Sequence, residues 1–177
     1  VLQPLDATLR DVVAAEDPDR DLGDIALDSG WFVTGRVLDA GSAPLASVNL
    51  DAYDGVTGLE KALSNDSTDA TGRFNVVLVP ALHDLEFYPP PGLPLAVARV
   101  ESIDVAEDLD LGDIRLQAAF FLSGRVVDGG GAPIPDCDLD AIDSLGQEVA
   151  LSGDTTDASG LFSVALSSGT FQLHVFP

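Results

Sequence analysis

The chain has 177 residues, of which 30 are acidic and only 8 are lysine or arginine, so its formal net charge is −22 at neutral pH. This acidity argues against binding to nucleic acid or to an anionic membrane surface. Hydrophobic residues make up 46% of the chain, enough for one or two small cores, but they form no run long enough for a transmembrane helix. The single cysteine, Cys137, excludes a disulfide framework or zinc cluster within one copy, and we expect it to be buried as a small hydrophobic residue.

The only helix-like stretch lies at 1–20, and an acidic run at 17–24 overlaps its end. This run begins like an EF-hand loop, but Leu22 occupies the position where that loop requires glycine. We therefore expect a solvated turn that leads into a strand at Ile25, rather than a calcium loop.

The rest of the sequence repeats itself with an offset of 88 or 89 residues. Residues 31–39 match 120–128, and the acidic, hydroxyl-rich loop at 64–74 returns at 152–162. The early segment 21–27 matches 110–116 in the same way. Internal repetition of this kind predicts repeated structural units. We predict one complete unit at 30–116, preceded by the C-terminal strands of another unit at 1–28 and followed by the N-terminal strands of a third at 120–177.

Alternating apolar residues mark the strands within each unit. Val48, Leu50 and Ala52 share one face of a predicted strand, and their counterparts are Cys137, Leu139 and Ala141. Glycine and proline interrupt the pattern at short intervals, as in 41–44, 89–94 and 129–135. About seven short strands per period, with helix nearly absent, predict an all-β chain of Ig-like or prealbumin-like seven-stranded β-sandwich repeats.

The runs at 33–39, 44–50 and 68–74 resemble the carboxypeptidase regulatory-like, or transthyretin-like, β-sandwich repeat, whose relatives include the B-type repeats of bacterial collagen adhesins. The resemblance covers both copies and implies a stalk, spacer or accessory module of a secreted or surface protein. In the peptidase relatives, the zinc chemistry belongs to a separate domain, which is absent from these residues. Many collagen-adhesin repeats carry a Lys–Asn isopeptide bond. Lys61 is the only lysine and aligns with Val149, so such a bond cannot recur in both copies.

Aspartates recur at four positions per unit and form the candidate metal site. Carboxylates that lie close together repel one another unless a cation neutralises them, and Ca²⁺ takes 6–8 oxygen ligands. The alternative is that these residues cap turns by accepting hydrogen bonds from their own backbone. The predicted calcium ligands are Asp51, Asp54, Asp66, Asp69, Asp140, Asp143, Asp154 and Asp157.

One motif suggests catalysis, because residues 83–86 spell the His-x-x-Glu pair of zinc carboxypeptidases. We reject a zinc site here, because residues three apart on a strand face opposite sides and the second copy lacks the pair. No other catalytic arrangement is visible, and we do not expect an enzyme.

These observations predict a structural module of an extracellular or cell-surface filament or stalk, stiffened by calcium in each repeat. The expected partners are copies of the chain itself, joined head to tail either covalently or by strand exchange, with no nucleic acid and no membrane insertion. Asn65 begins an N-glycosylation pattern, so glycans are possible. Two alternatives are an adhesin-type binding module and an accessory domain of a secreted hydrolase. We also expect residues near the termini to be unpaired in an isolated chain.

Overall fold

The computed structural model describes residues 3–4, 23–24 and 29–177. These residues form strands joined by turns, without a helix, which confirms the all-β prediction. The predicted helix-like stretch at 1–20 lies outside the described residues apart from 3–4, as does the acidic run at 17–24 apart from 23–24. The strands are β1 (Gln3–Pro4), β2 (Ser29–Leu38), β3 (Asn49–Asp54), β4 (Glu60–Lys61), β5 (Arg73–Leu78), β6 (Ala81–Tyr88), β7 (Ala98–Val105), β8 (Leu109–Arg115), β9 (Phe120–Arg125), β10 (Asp138–Ile142), β11 (Glu148–Val149), β12 (Leu161–Leu166) and β13 (Gln172–Phe176).

Strands β2 to β8 form a two-sheet sandwich, called the first sandwich below. One sheet has the order β5-β2-β8, and the other has the order β4-β3-β6-β7. All neighbours are antiparallel except β8, which runs parallel to β2. The predicted inward faces are buried between the sheets, with the Phe74 and Phe87 rings 5.4 Å apart between centroids. The core residues include Val33, Val37, Val48, Leu50, Ala52, Val76, Leu78, Leu85 and Leu116.

Glycine fixes the turn that leads into β5 and its counterpart β12. Gly72 has φ of 75°, and a Cβ there would lie 2.6 Å from the carbonyl oxygen of Val37. Gly160 has φ of 72°, and its Cβ would lie 2.5 Å from the carbonyl oxygen of Val126. Both the left-handed conformation and the close backbone approach require glycine.

Strands β9 to β13 form a second, smaller arrangement, called the second segment below. β9 pairs with β12 as β2 pairs with β5, and β10 lies between β11 and β13 as β3 lies between β4 and β6. Among the described residues, no strand pairs with the other edge of β9 or of β13. The boundaries proposed for the units stay a prediction.

Both terminal segments differ from expectation, since β13 is paired with β10 up to Phe176. Gln3 and Pro4 pair with Gly30 and Ser29 at the start of β2, although we expected terminal residues to be unpaired. A similar bridge joins Leu95 to Ala118, so backbone pairing also occurs at the entry to β9.

Candidate functional site

Two of the predicted metal ligands in the first sandwich cap turns. Asp54 ends β3, and its Oδ1 accepts hydrogen bonds from the backbone N–H groups of Val56 and Thr57. Asp69 Oδ1 accepts from the N–H and the hydroxyl of Thr71 and from the N–H of Arg73. These bonds lower the pKa of both aspartates, because the donors stabilise the charged carboxylate. The turn-capping alternative therefore describes these two residues.

Their counterparts in the second segment do the same. Asp143 Oδ1 accepts from the N–H groups of Leu145 and Gln147, and Asp157 Oδ1 accepts from those of Ser159 and Leu161. A third pair of aspartates, which sequence reasoning did not single out, also caps turns. Asp39 Oδ1 accepts from Ala43, and Asp128 Oδ1 accepts from Gly130 and Ala132. Their spacing of 89 residues was the available signal.

Asp51 and Asp66 form a different pair on the outer side of β3. Asp51 accepts a hydrogen bond from Asn49 Nδ2, and its pKa is raised by partial burial and by the nearby negative charges of Glu60, Glu86 and Asp66. In the second segment, partial burial and the charges of Asp138 and Asp140 raise the pKa of Asp154. The structure therefore separates each predicted set of four aspartates into turn caps and an outer pair.

The arrangement bears on calcium binding. Within the described part of the chain, no group of three or more His, Cys, Asp or Glu side chains is placed to hold a metal ion. The capping oxygens already accept backbone hydrogen bonds, which leaves the outer pairs as the nearest approach to a cation site. Calcium binding stays a prediction.

A buried threonine, missed by sequence reasoning, organises the acidic loop in both copies. Thr68 Oγ1 accepts from the N–H of Val48 and donates to the carbonyl oxygen of Leu45, at 2.9 and 2.7 Å. Thr156 Oγ1 accepts from Cys137 N–H and donates to Ile134, both at 2.9 Å. Each hydroxyl thus ties the loop, which carries one aspartate of the outer pair, to the residues just before the strand that carries the other. Its recurrence between aspartates of the repeated loop was the signal in the sequence.

His83 and Glu86 face opposite sides of β6, as their spacing along the strand predicted. His83 is fully buried in the core, and its Nε2 lies 2.8 Å from the carbonyl oxygen of Val79. Glu86 lies on the other face of the strand. There Arg99 forms salt bridges with Glu86, at 3.0 Å, and with Asp84, at 2.7 Å. Backbone donation by Ser102 and the Arg99 charge lower the pKa of Asp84.

Arg99, Asp84 and Glu86 form a charged group, called the Arg99 cluster below, which borders the second segment. A cavity of about 350 Å³ lies between the two, lined on one side by Tyr53, Glu86, Tyr88 and Arg99 and on the other by acidic and apolar residues that include Asp140, Glu148, Leu151 and Asp154. Ser152 Oγ also donates to the carbonyl oxygen of Pro89 across this boundary, at 3.3 Å. On the first side, Arg99 places one positive charge between the carboxylates of Asp84 and Glu86, so that side keeps a net negative charge.

The covered edge of the first sandwich shows how a unit is closed. Strand β8 pairs along β2, and Arg36 binds both carboxylate oxygens of Asp113 at 2.9 Å. Arg36 lowers the pKa of Asp113, as expected for an ion pair. The backbone carbonyl oxygen of Gly112 also passes within 3.0 Å of the position that a Cβ on Gly35 would occupy. This edge thus combines a backbone ladder, a bidentate ion pair and a close approach at glycine.

The corresponding edge of β9 is open among the described residues, and equivalent side chains are exposed there. Val33 is fully buried, whereas its counterpart Leu122 is 42% exposed. Leu38 is 3% exposed and its counterpart Val127 is 44% exposed. The second segment therefore presents core-type side chains to solvent.

Comparisons with known proteins give no assignment. No family model matches the chain, and no curated protein matches it. Several solved structures show a distant likeness, and three of them illustrate it. The Bacillus anthracis TIE protein is 16% identical with a TM-score of 0.37, and the alignment covers 85% of this chain and 29% of that one. A streptococcal ancillary pilin is 15% identical with a TM-score of 0.37, covering 86% and 56%.

The third is the shaft pilin SpaA from Lactobacillus rhamnosus GG, which is 10% identical with a TM-score of 0.39, covering 82% of this chain and 87% of that one. The chain thus spans less than a third of the TIE protein and just over half of the ancillary pilin. These TM-scores are too low to carry function from those proteins to this one. In the described part of the chain, no helix is long and apolar enough to cross a membrane.

Proposed function

We propose that the chain is a structural module of a linear extracellular filament or stalk, built from β-sandwich units that follow one another head to tail. The observation that carries the proposal is the contrast between the two edges. The second segment repeats the pairing of β2 to β6, yet the edge that β8 covers in the first sandwich is open on β9. A unit that exposes core residues at one end is suited to being continued there.

Linear continuation also suits the composition. In arrays where each unit contacts only its neighbours, length grows without a larger core, so short units of this kind are sufficient. The high negative charge keeps such an assembly soluble and opposes association side by side. No catalytic constellation was predicted, and the His83 and Glu86 pair faces two different sides of its strand.

Calcium is the second component of the proposal. It would bind at the outer pairs, with Asp51 and Asp66 in one copy and Asp140 and Asp154 in the other, where partial burial and the neighbouring negative charges disfavour the ionised form. Binding to the folded state alone would stabilise it by about 2.7 kcal/mol at a hundred times the dissociation constant.

A binding module is the second candidate, and one observation bears on it. Val56 and Leu145 occupy equivalent loop tips and are both highly exposed. Single exposed apolar residues are common on protein surfaces and do not form a patch. The larger apolar surface, around Leu122, corresponds to a covered edge in the first sandwich and so matches an unfinished core better than a ligand site.

Cryo-EM of the native material, with calcium and after chelation, tests both components. We expect linear assemblies with a repeat set by the sandwich units, and density among the outer aspartates only when calcium is present. Isolated closed particles would overturn the filament. Linear assemblies unchanged by the chelator, without that density, would overturn only the calcium.

A further inference from the structure

We infer that the open edge of β9 receives residues 20–27 of a second copy of the chain, paired parallel to β9, with Arg125 bound to Asp24 of that copy. This inference rests on the proposed function and names the contact by which one copy would continue another.

The first argument is that the open edge keeps the features of the covered one. Arg125 stands where Arg36 stands, and Gly124 stands where Gly35 lets the neighbouring strand approach. Arg36 binds Asp113, whereas Arg125 donates Nε to the carbonyl oxygen of Ser159 and pairs with no carboxylate of the described residues. The edge therefore presents the cation and the space that a β8-like strand requires.

The second argument is that the chain carries such a strand sequence elsewhere. Residues 21–27 match 110–116, so that Leu22, Ile25 and Leu27 correspond to the apolar positions Leu111, Ile114 and Leu116. Leu111 and Ile114 pack against the core of the first sandwich, and Leu116 is fully buried in it. The counterpart of Leu109 is Arg20, the one position where this likeness lacks an apolar residue.

Backbone conformation at the described pair supports the likeness. Gly112 has φ of 69° and Gly23 has φ of 64°, the left-handed region that places the following aspartate. Asp24 is exposed, as is Asp113 at the matching position. Gly23 and Asp24 thus match Gly112 and Asp113 in residue type, and the two glycines also match in backbone conformation.

Connectivity explains why a second copy fits. β8 completes the first sandwich and then leads through residues 116–119 into β9 of the second segment. Residues 20–27 lead in the same way through Asp28 into β2. A copy that lent these residues to β9 would place its own first sandwich after the second segment, which continues the order of units along the line.

Cysteine pairing tests the register in the full chain. In a Cys137→Val background, which copies the residue at Val48, one preparation carries Arg125→Cys and the other carries Asp24→Cys. Adjacent strands lie about 4.8 Å apart, within the Cα separation of a disulfide. Mixing and mild oxidation should give a dimer on a non-reducing gel, with a peptide linking positions 125 and 24 found by mass spectrometry.

Two controls calibrate this result. Arg36→Cys with Asp113→Cys in one chain should close an intramolecular disulfide, because these residues already face each other. Ser123→Cys mixed with Asp24→Cys shifts the register by two residues and should crosslink far less. Arg125→Glu should weaken association about fivefold or more, the value of a well-placed exposed ion pair, and Asp24→Arg in the partner should restore it.

The outcomes distinguish the second-copy contact at β9 from the linear filament. Linear native assemblies in which the chain's own continuation beyond Pro177 covers β9, or in which positions 125 and 24 do not crosslink, would overturn the second-copy contact and leave the filament. Dimers linked only from position 125 to position 125, or from position 24 to position 24, would overturn the contact as well. Closed native particles with a specific intermolecular crosslink would overturn the filament and leave the contact.

Discussion

The second segment repeats the first five strands of the first sandwich, β2 to β6, but the cores of the two are very different. At Leu50 and Leu139 the inner face is equally buried in both, because each of these positions lies between strands that its own segment supplies. At Phe87 and Val175 the two differ, since the first is fully buried and the second is 40% exposed. Burial at a given position is therefore decided by the strands that complete the sandwich, in this case β7 and β8, and not by the residue at that position.

The largest difference in stability between the two segments is expected when Phe87 is replaced. Phe87→Ala removes a fully buried ring and should destabilise the first sandwich by about 3–5 kcal/mol, whereas Val175→Ala should cost under about 1 kcal/mol in the isolated chain. Trp31, the only tryptophan, packs on the first core, so its fluorescence during urea unfolding reports that sandwich. Hydrogen exchange reports the second segment. Equal losses for both variants would contradict the view that the second core is unfinished.

The next effect concerns Arg99, which has no matching cluster in the second segment, where Gln172 and His174 stand in place of Asp84 and Glu86. Arg99→Met leaves two buried carboxylates without their cation and should cost about 2–3 kcal/mol at neutral pH, less than for a fully buried pair because Arg99 is partly exposed. Denaturant midpoints measure the loss. Adding Asp84→Asn and Glu86→Gln should recover most of it, and failure to recover would mean that Arg99 acts through packing.

This loss should also depend on pH. The pKa of Asp84 is lowered in the fold, so its contribution is present above the unfolded value of about 3.9 and is lost as pH falls through the folded value. The difference between the wild-type chain and Arg99→Met should therefore shrink below about pH 4. A difference that stays constant down to pH 2 would count against the ion pair.

The two copies should lose similar stability when their buried threonines are replaced. Thr68→Val and Thr156→Val each leave a buried N–H without its acceptor, and each should cost about 1–2 kcal/mol locally. Hydrogen exchange at Val48 and Cys137 should show the two losses separately. Thr→Ser variants keep the hydroxyl and serve as controls. A clear loss in only one copy would show that the hydroxyls have different roles.

The smallest effect is expected at the outer aspartates. The pKa of Asp51 is raised in the fold, so its stabilising contribution is present below the unfolded value and is lost as pH rises through the folded value. Asp51→Asn should therefore raise the melting temperature by a degree or two at neutral pH, and the gain should vanish near pH 3, in calcium-free buffer. If calcium binds there, the wild-type chain should gain stability on adding calcium and the variant should gain less.

The sequence was sufficient for the fold because its signals are local. Alternation along 48–52 and 74–78 defined the faces of the strands, and glycine at positions 72 and 160 marked turns that no other residue fits. The buried Cys137 and the opposite faces of His83 and Glu86 followed from the same period of two. The sequence also placed Asp51 and Asp140 within strands and Asp54 where its strand ends, as the structure has them.

Tertiary structure decided what those carboxylates do. Asp54 ends a strand and Asp69 lies in the acidic loop, but the oxygens of both accept from nearby backbone donors, and this depends on the turn conformations rather than on residue type. The sequence pattern could not show that the edge of β9 is open, because alternation predicts that Leu122 is a buried core residue. Its exposure follows from which strand lies beside it, a relation between residues distant in the chain that no local pattern contains.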